Sequence, residues 1–208
     1  MEPGEPITSQ HPPTGKPLAP VPTEKKASAM KNVREWVQVI AIALIISLPI
    51  RFFIAEPFVV NGASMDPTFS TGQFLIVDRL TYRFESPKRG DVIVFKYPGN
   101  TSIYYIKRII GLPNESVSIR KGAVSITSSS TPGTIALKEP YVDAAHKSYD
   151  DFDIKLGSTE YFVMGDNRAQ SFDSRAWGPL DRNLIVGEPI VRLLPADQIS
   201  VWPGEYKE

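Results

Sequence analysis

Hydrophobic and polar residues are distributed unevenly along the chain, and the first stretch is almost free of large apolar side chains. Residues 1–32 contain seven prolines together with many Ser, Thr, Gln and Lys residues. A segment of this composition buries too little apolar surface to offset the conformational entropy that folding removes. We therefore predict a disordered tail over residues 1–32.

The second stretch, residues 36–55, consists mostly of Val, Ile, Leu, Ala and Phe. At the rise of an α-helix its roughly 20 residues extend about 30 Å, the thickness of the hydrocarbon core of a bilayer. Pro49 and Arg51 interrupt the run, but membrane helices tolerate a proline, and an arginine near one end can reach the headgroups. We predict a single transmembrane anchor over residues 33–55. A buried helix of a soluble domain is the alternative.

Basic residues flank the N-terminal side of this run and predict its orientation. Lys25, Lys26, Lys31 and Arg34 precede it, and the cytoplasmic flanks of membrane helices carry such an excess of positive charge. The N-terminus is therefore predicted to be cytoplasmic, and residues 56–208 to lie outside the plasma (inner) membrane. A cleavable secretory signal is the competing interpretation, but about 35 leading residues exceed an ordinary signal n-region.

Beyond Glu56 the pattern changes to short apolar or alternating runs separated by Gly, Pro, Asn and Asp. Runs of this length with period two predict β-strands, and the residues between them predict turns. Residues 56–208 are therefore predicted to form a mainly β domain. The stretch near 127–158 is richer in Ser, Thr, Pro and charge and has weaker periodicity, so we predict a less regular insertion there.

Composition excludes several kinds of chemistry. The 23 Lys and Arg residues balance 23 Asp and Glu residues, so no overall field attracts nucleic acid, and we predict no nucleic-acid partner. The absence of cysteine excludes disulfides, thiolate metal sites and a cysteine nucleophile. Of the two histidines, His11 lies in the tail, and His146 has the neighbours of a partly exposed loop residue. A Ser-His-Asp triad is therefore disfavoured.

Ser64 is the first candidate for chemistry and lies in the sequence Val60-Asn-Gly-Ala-Ser-Met-Asp-Pro-Thr-Phe69. Gly62 permits unusual backbone angles, and Pro67 interrupts regular structure soon after the serine. Such a bend presents a hydroxyl together with free backbone N–H groups, which an oxyanion hole requires. By itself the segment is more typical of an ordinary turn serine, and it does not match the Gly-x-Ser-x-Gly elbow.

The second candidate is Lys107, in a predicted strand over residues 102–110. Period two places Tyr105, Lys107 and Ile109 on one face. If that face is buried, desolvation lowers the pKa of the amine, and a neutral lysine can then accept a proton from a serine. The neighbouring Arg108 cannot act as a base. A solvated lysine on a strand edge is the alternative, which this segment alone favours.

A third segment, Gly165-Asp-Asn-Arg-Ala-Gln-Ser-Phe-Asp-Ser-Arg-Ala-Trp-Gly178, is unusually rich in side chains that can hydrogen-bond to one another. A calcium loop would need more carboxylates at regular spacing than Asp166 and Asp173 supply. We predict that the Ser171 hydroxyl orients a lysine amine and that Asp173 pairs with Arg175 to hold the loop. A metal-free polar loop is the alternative.

Together, in this order and behind an N-terminal anchor, the three segments resemble the bacterial type I signal peptidases, also called leader peptidases. With the anchor, the resemblance covers the chain from about residue 33 to about residue 195. The matching stretches are Gly62-Ala-Ser-Met-Asp-Pro-Thr68, Arg89-Gly-Asp-Val-Ile-Val-Phe-Lys-Tyr-Pro98, Tyr105-Ile-Lys-Arg-Ile-Ile-Gly-Leu-Pro113 and Gly165-Asp-Asn-Arg-Ala-Gln-Ser-Phe-Asp-Ser-Arg175.

The resemblance implies a largely antiparallel β fold that removes signal peptides from exported preproteins at the outer face of the membrane. It implies that Ser64 is the nucleophile and Lys107 the general base of a Ser/Lys dyad. It also implies that Ser171 helps to hold the lysine, and that Asp173 and Arg175 support the same motif.

Two residues beside Ser64 bear on the oxyanion hole and on the match. In part of the family, the position of Gly62 is a serine whose hydroxyl contributes to the oxyanion hole. Other members have glycine there, so the resemblance implies that backbone N–H groups, including that of Ser64, bind the oxyanion. Met65 directly follows the nucleophile, as it does in the family.

These observations combine into one mechanistic hypothesis. Neutral Lys107 takes the proton as Ser64 attacks the carbonyl that follows a small-x-small segment, and water hydrolyses the resulting acyl-enzyme. No metal or cofactor is required. The expected partners are the signal peptides of secreted preproteins and the lipid bilayer, and the enzyme is expected to act as a monomer.

Two alternatives to this hypothesis stay open. A self-cleaving repressor of the related Ser/Lys type would need a soluble DNA-binding head, which the apolar segment and the neutral charge disfavour. A catalytically inactive, membrane-tethered β scaffold would require Ser64 and Lys107 to lie too far apart for a hydrogen bond.

Overall fold

The computed structural model describes residues 25–49, 55–128 and 133–205, and within the first helix it describes the side chains of residues 33–48. Most of the predicted tail and the last part of the predicted anchor, residues 50–54, lie outside these ranges. The chain divides into two compact units, Met1–Ile45 and Ile46–Glu208.

Three α-helices and twelve β-strands lie in the described part of the chain. The helices are α1 Lys25–Pro49, α2 Thr81–Phe84 and α3 Ser174–Trp177. The strands are β1 Ala55–Val59, β2 Phe74–Asp78, β3 Val92–Tyr97, β4 Asn100–Gly111, β5 Glu115–Arg120, β6 Ala123–Ser128, β7 Thr134–Ala136, β8 Phe152–Lys155, β9 Glu160–Met164, β10 Leu180–Asp181, β11 Ile185–Leu194 and β12 Ser200–Val201.

Helix α1 contains many good helix formers, among them Ala, Leu, Lys and Met, and it ends at Pro49, whose ring disfavours further helix. Every side chain described in it is exposed, and the exposed fractions of Trp36 and Ile45 are 69% and 71%. None of the described helices combines the length and the apolar character needed to cross a membrane. The membrane anchor therefore stays a prediction at this point.

The main sheet has eight strands in the order β1-β2-β11-β3-β4-β9-β10, with β12 paired to β11. All of its strand pairs are antiparallel, which confirms the predicted mainly β, antiparallel fold class. Strand β3 is buried from Val92 to Phe95 because apolar clusters cover both of its faces. Ile93 and Phe95 belong to one cluster, and Val92 belongs to another together with Met65.

A second, four-stranded antiparallel sheet has the order β7-β6-β5-β8. Its apolar residues alternate as period two requires, so that Val117 and Ile119 on β5 are buried together with Val124 and Ile126 on β6. These side chains form one cluster with Phe162 and Met164 of β9. The two sheets therefore share a core. Strands β7 and β8 come from the stretch near 127–158.

Strand β4 carries the second catalytic candidate to the end of its pairing with β9. The register joins Arg108 to Met164 and Ile109 to Val163, and β9 ends at Met164. Lys107 is therefore the first residue of β4 beyond its paired region with β9. The segment 165–178, called the third motif from here on, begins directly after β9, and the strand segment 102–110 that carries Lys107 is called the second motif. The sheet therefore brings Lys107 and the start of the third motif to the same end of β4 and β9.

We expect Phe162→Ala to lower the free energy of unfolding by about 3–5 kcal/mol, because the truncation leaves a cavity in the core that joins the two sheets. Phe162 is fully buried, and its ring centroid lies 5.4 Å from that of Phe152. Urea unfolding followed by circular dichroism measures the loss. Ile135→Ala on β7 is the control, because Ile135 is 53% exposed and its truncation should change the free energy by less than about 0.5 kcal/mol. Equal losses in both variants would contradict a shared core.

Candidate active site

Lys107 and Ser64 are in direct contact. Lys107 Nζ lies 2.7 Å from Ser64 Oγ and donates a second hydrogen bond to the Ile106 carbonyl at 3.0 Å. Lys107 is only 3% exposed, and Ser64 is half-buried. A serine hydroxyl at this distance from a buried amine has the geometry of a nucleophile beside its base. The partner of Ser64 is thus a lysine, whereas His146 Nδ1 lies 2.6 Å from Asp143 Oδ1.

Burial lowers the pKa of the Lys107 amine from its ordinary value of 10.5 to about 8. The cause is desolvation, since a charged ammonium is less stable away from water than a neutral amine. The negative charges of Asp173 and Asp166 oppose this effect and raise the pKa. The Tyr105 ring, whose centroid lies 5.3 Å from Nζ, adds a further favourable contact for the charged form. Desolvation outweighs these effects, so about a tenth of the amine is neutral at pH 7.

The loop that carries Ser64 is closed by hydrogen bonds near both of its ends. The Val60 N–H donates to the Gln73 carbonyl, and the Gly72 N–H donates to the Val60 carbonyl, each at 2.9 Å. Gly62 has a φ of 103°, which favours glycine, and its N–H donates to Thr71 Oγ1 at 3.0 Å.

Met65 anchors this loop to the domain. Its side chain is 1% exposed and belongs to the apolar cluster that also contains Phe69, Leu75 and Val92. Successive residues of the loop therefore have different surroundings, because Met65 packs into the core while the hydroxyl of Ser64 stays beside Lys107. Burial of Met65 explains why an apolar residue follows the candidate nucleophile.

Gly165 is the point at which the third motif contacts the nucleophile loop. A Cβ atom at this position would lie 2.2 Å from the Ser64 carbonyl oxygen and 2.4 Å from Ser171 Oγ, so only glycine fits. Asn167 then holds the loop in two places, because its N–H donates to the Ser64 carbonyl and its Nδ2 donates to the Ala63 carbonyl, both at 3.1 Å. The third motif thereby fixes the backbone at Ala63 and Ser64.

Asp173 and Arg175 form the pair that the sequence analysis considered. Arg175 Nε donates to Asp173 Oδ1 at 2.8 Å and Nη2 donates to Oδ2 at 2.9 Å, a two-point contact. Burial by itself raises the pKa of the Asp173 carboxyl, but Arg175, Ser171 and the Gly165 N–H together hold it below its ordinary value. Asp173 is therefore charged, and it supports the start of the third motif by accepting from the Gly165 N–H at 3.1 Å.

The Ser171 side chain makes a different hydrogen bond from the predicted one. The predicted hydrogen bond to the lysine amine is not among those of the described residues, in which Lys107 Nζ bonds only to Ser64 and Ile106. Ser171 Oγ accepts instead from the Gly165 N–H at 3.1 Å. Its contact with the dyad is therefore indirect, through the glycine that touches the Ser64 carbonyl.

A buried ion pair that the sequence pattern did not indicate lies behind the Ser64–Lys107 pair. Arg108 donates from Nε and Nη2 to the two carboxylate oxygens of Asp166 at 2.8 and 2.7 Å, and both side chains are almost fully buried. Thr68 Oγ1 donates to the same carboxylate at 2.5 Å. Both residues were in the matched motifs, but nothing in the sequence showed that one was the partner of the other.

Three arginines near the site receive partners from one irregular segment, residues 139–150. Glu139 accepts from Arg168, with Nη1 and Oε2 2.9 Å apart. Tyr141 stacks over the Arg108 guanidinium, with 4.1 Å between the guanidinium carbon and the ring centroid. Ser148 and Asp150 accept from Arg175 Nη1 at 2.7 and 2.8 Å, a set of contacts that no periodic pattern in the sequence indicated.

A serine hydroxyl beside a buried amine is an arrangement that can perform acyl transfer through a serine ester. Among the described residues, no cluster of three or more His, Asp or Glu side chains could hold a metal ion.

Comparisons with known proteins point to a single family. The model of the family described as "Signal peptidase, peptidase S26" matches residues 33–194. A signal peptidase I of Bacillus licheniformis is 34% identical over 188 residues, covering 85% of this chain and 97% of the relative. Signal peptidase I T of Bacillus subtilis (strain 168) is 37% identical over 177 residues, covering 79% and 88%. A crystal structure of a signal peptidase I from Enterococcus faecalis V583 covers 50% of this chain and 97% of its own, with 29% identity and a TM-score of 0.43.

We expect the Lys107 amine to titrate with a midpoint near pH 8, because burial disfavours its charged form. The pH dependence of the ¹³Cε chemical shift of selectively labelled lysine, assigned with Lys107→Met, measures this pKa. Between about pH 8 and 10.5 the unfolded chain binds more protons at Lys107 than the folded chain, so this residue makes stability rise with pH. A Lys107 midpoint at the ordinary lysine value of 10.5 would contradict this expectation.

Proposed function

The chain belongs to the signal peptidase family, peptidase S26, whose serine peptidases remove signal peptides from preproteins, and we propose that Ser64 is its nucleophile and Lys107 its general base. The single observation that carries this assignment is the 2.7 Å separation of Ser64 Oγ and the buried Lys107 Nζ. The lowered pKa of Lys107 supports it further, because only the neutral amine can accept a proton.

The proposed reaction proceeds through an acyl-enzyme. Neutral Lys107 accepts the proton of the Ser64 hydroxyl as the oxygen attacks the scissile carbonyl. The resulting ammonium then gives this proton to the leaving amine as the peptide C–N bond breaks, which leaves an ester on Ser64. Water, deprotonated by the same lysine, attacks the ester and restores the free hydroxyl and the neutral amine.

We propose that the oxyanion formed during attack is stabilised by backbone N–H groups beside the nucleophile. Among the described residues, no hydrogen bond uses the Ser64 N–H, so it is available to the carbonyl oxygen that becomes negative during attack. Gly62 has no side-chain hydroxyl to contribute, and its own N–H is already bonded to Thr71 Oγ1. The Ser64 N–H is therefore the donor with the strongest support in this chain.

The preferred substrate is proposed to be a preprotein with a small-x-small segment before the cut. The enzyme is proposed to act on it as a monomer. The competing hypothesis of an inactive β scaffold required Ser64 and Lys107 to be too far apart for a hydrogen bond. Their 2.7 Å separation lies inside the hydrogen-bond range, so this hypothesis loses its main support.

We further propose that residues 33–55 anchor the enzyme in the plasma membrane, with the N-terminus cytoplasmic and residues 56–208 outside. The supporting observation is that helix α1 exposes large apolar side chains on all sides, including Trp36, Val37 and Ile42. A helix that is apolar on every side is typical of a membrane span. An anchor of this kind raises the effective concentration of enzyme and membrane-inserted substrate toward each other.

Ser64→Ala should abolish cleavage of a preprotein with an Ala-x-Ala junction in detergent, because it removes the attacking oxygen. Lys107→Met should lower kcat/KM by about 10²–10⁴-fold, because it removes the base. In the wild type, kcat/KM should fall as the pH drops through about 8, since protonation of Lys107 inactivates the base. Lys155→Met, at an exposed position on β8, is the control and should cut at the wild-type rate. Cleavage by both dyad variants at that rate would refute the assignment.

Extraction of membranes with alkaline carbonate tests the anchor. The full chain should stay in the membrane pellet, because alkaline carbonate removes peripheral proteins but does not extract an apolar helix that spans the bilayer. A shortened chain that begins at Glu56 is the control and should appear largely in the supernatant. Release of the full chain into the supernatant would exclude a membrane-spanning anchor.

A further inference from the structure

Arg192, on strand β11, bonds to two separate parts of the domain, the loop that carries Ser64 and the chain at β12. Its Nη1 donates to the Thr68 carbonyl and to Gln73 Oε1, both at 3.1 Å, and its Nε donates to the Gln198 carbonyl at 3.0 Å. Thr68 and Gln73 belong to the loop that carries Ser64, whereas Gln198 precedes β12. One guanidinium thus ties the nucleophile loop to the C-terminal part of the sheet.

The acceptors of Arg192 are all uncharged oxygens. No ion pair includes Arg192 among the described residues, unlike Arg108, Arg168 and Arg175. An arginine presents several N–H donors in a rigid plane, so it can hold two backbone carbonyls and an amide oxygen at once. Of these contacts, the hydrogen bond to the Thr68 carbonyl holds the backbone of the Ser64 loop directly.

Thr68 connects Arg192 to the residues around Lys107. Its carbonyl accepts from Arg192, and its hydroxyl donates to Asp166, the partner of Arg108. Arg108 directly follows Lys107 on β4. Thr68, four positions after Ser64, is consequently held by β11 through its carbonyl, and through its hydroxyl by Asp166, which links it indirectly to the strand that carries the base.

We propose that Arg192 is a positioning residue for the nucleophile: it holds the Ser64 loop, through the Thr68 carbonyl, at the distance from Lys107 that proton transfer requires. The inference rests on the proposed roles of Ser64 and Lys107. Loss of this contact lets the loop shift while Met65 remains buried and the fold is retained. Because a displacement of about 1 Å can cost about 100-fold in rate, kcat should fall much more than KM rises.

Two variants and one matched control test the proposal. Arg192→Met keeps an unbranched side chain beside the Phe69 ring, from which the guanidinium carbon now lies 5.8 Å, and removes only the donors. Arg192→Ala also opens space in the adjoining cavity of about 550 Å³, which Pro67 and Thr68 line as well. The control is Arg182→Met, because Arg182 likewise donates to backbone carbonyls, those of Tyr82 and Glu85, with no contact to the Ser64 loop.

The measurements are kcat, KM and their pH dependence on an Ala-x-Ala preprotein in detergent, together with the thermal midpoint of unfolding of each variant. We expect Arg192→Met to lower kcat about 10- to 100-fold with KM nearly unchanged. The midpoint of the pH profile should stay near that of the wild type, because Arg192 is not among the charges that shift the pKa of Lys107. Arg182→Met should keep the wild-type kcat.

Chemical rescue separates positioning from a general structural role. Methylguanidinium should restore part of the kcat of Arg192→Ala, because it can enter the cavity and donate to the Thr68 carbonyl, whereas neutral methylurea should restore less. A wild-type kcat in Arg192→Met would overturn the proposal, as would a kcat loss matched by the fraction of unfolded protein. If Arg192→Ala does not fold, the result with Arg192→Met decides.

A parallel assay of Ser64→Ala distinguishes failure of this inference from failure of the proposed function. Undiminished cutting by Ser64→Ala would mean that the nucleophile is misassigned. Inactive Ser64→Ala combined with a wild-type kcat in Arg192→Met would leave the proposed function standing and exclude only the positioning role of Arg192.

Discussion

Burial of one amine is the constraint on which the rest of the site depends. Lys107 can act as a base near neutral pH only if it is kept from water, and its position on β4 removes almost all of its solvent contact. Burial also limits what can lie beside it, because an unpaired carboxylate nearby would favour the ammonium. The surrounding structure must therefore hold acidic groups close enough to build the loops without restoring the charge of the lysine.

Ion pairs with arginine meet this requirement. Asp166 and Asp173 both raise the pKa of Lys107, yet each is engaged in a two-point contact, with Arg108 and Arg175 respectively. A paired carboxylate exerts a weaker field on a third group than an unpaired one, because the two opposite charges partly cancel. The same pairs are mechanical supports, since removing one partner from a buried pair leaves an uncompensated charge at a cost of several kcal/mol.

The irregular segment 139–150 and the second sheet extend this support. Glu139, Tyr141 and Asp150 contact arginines of the second and third motifs, and the sheet from which the segment departs shares a core with β9. A part of the chain with no catalytic residue of its own thereby restrains the backbone around Gly165, where the third motif touches the Ser64 carbonyl. The support for the site comes from both sheets.

By itself, the sequence determined the mainly β class, the exclusion of cysteine chemistry, and the candidates Ser64 and Lys107, because strand periodicity, composition and local motifs are properties of neighbouring residues. It also contained Asp173 and Arg175 close enough together to suggest their pairing. Only the tertiary structure decided that Lys107 is buried against Ser64, that Ser171 reaches Gly165 instead of the amine, and that Arg108 pairs with Asp166. These contacts join residues from 6 to 58 positions apart, and most of them depend on how strands pair across the sheet, which no local pattern encodes.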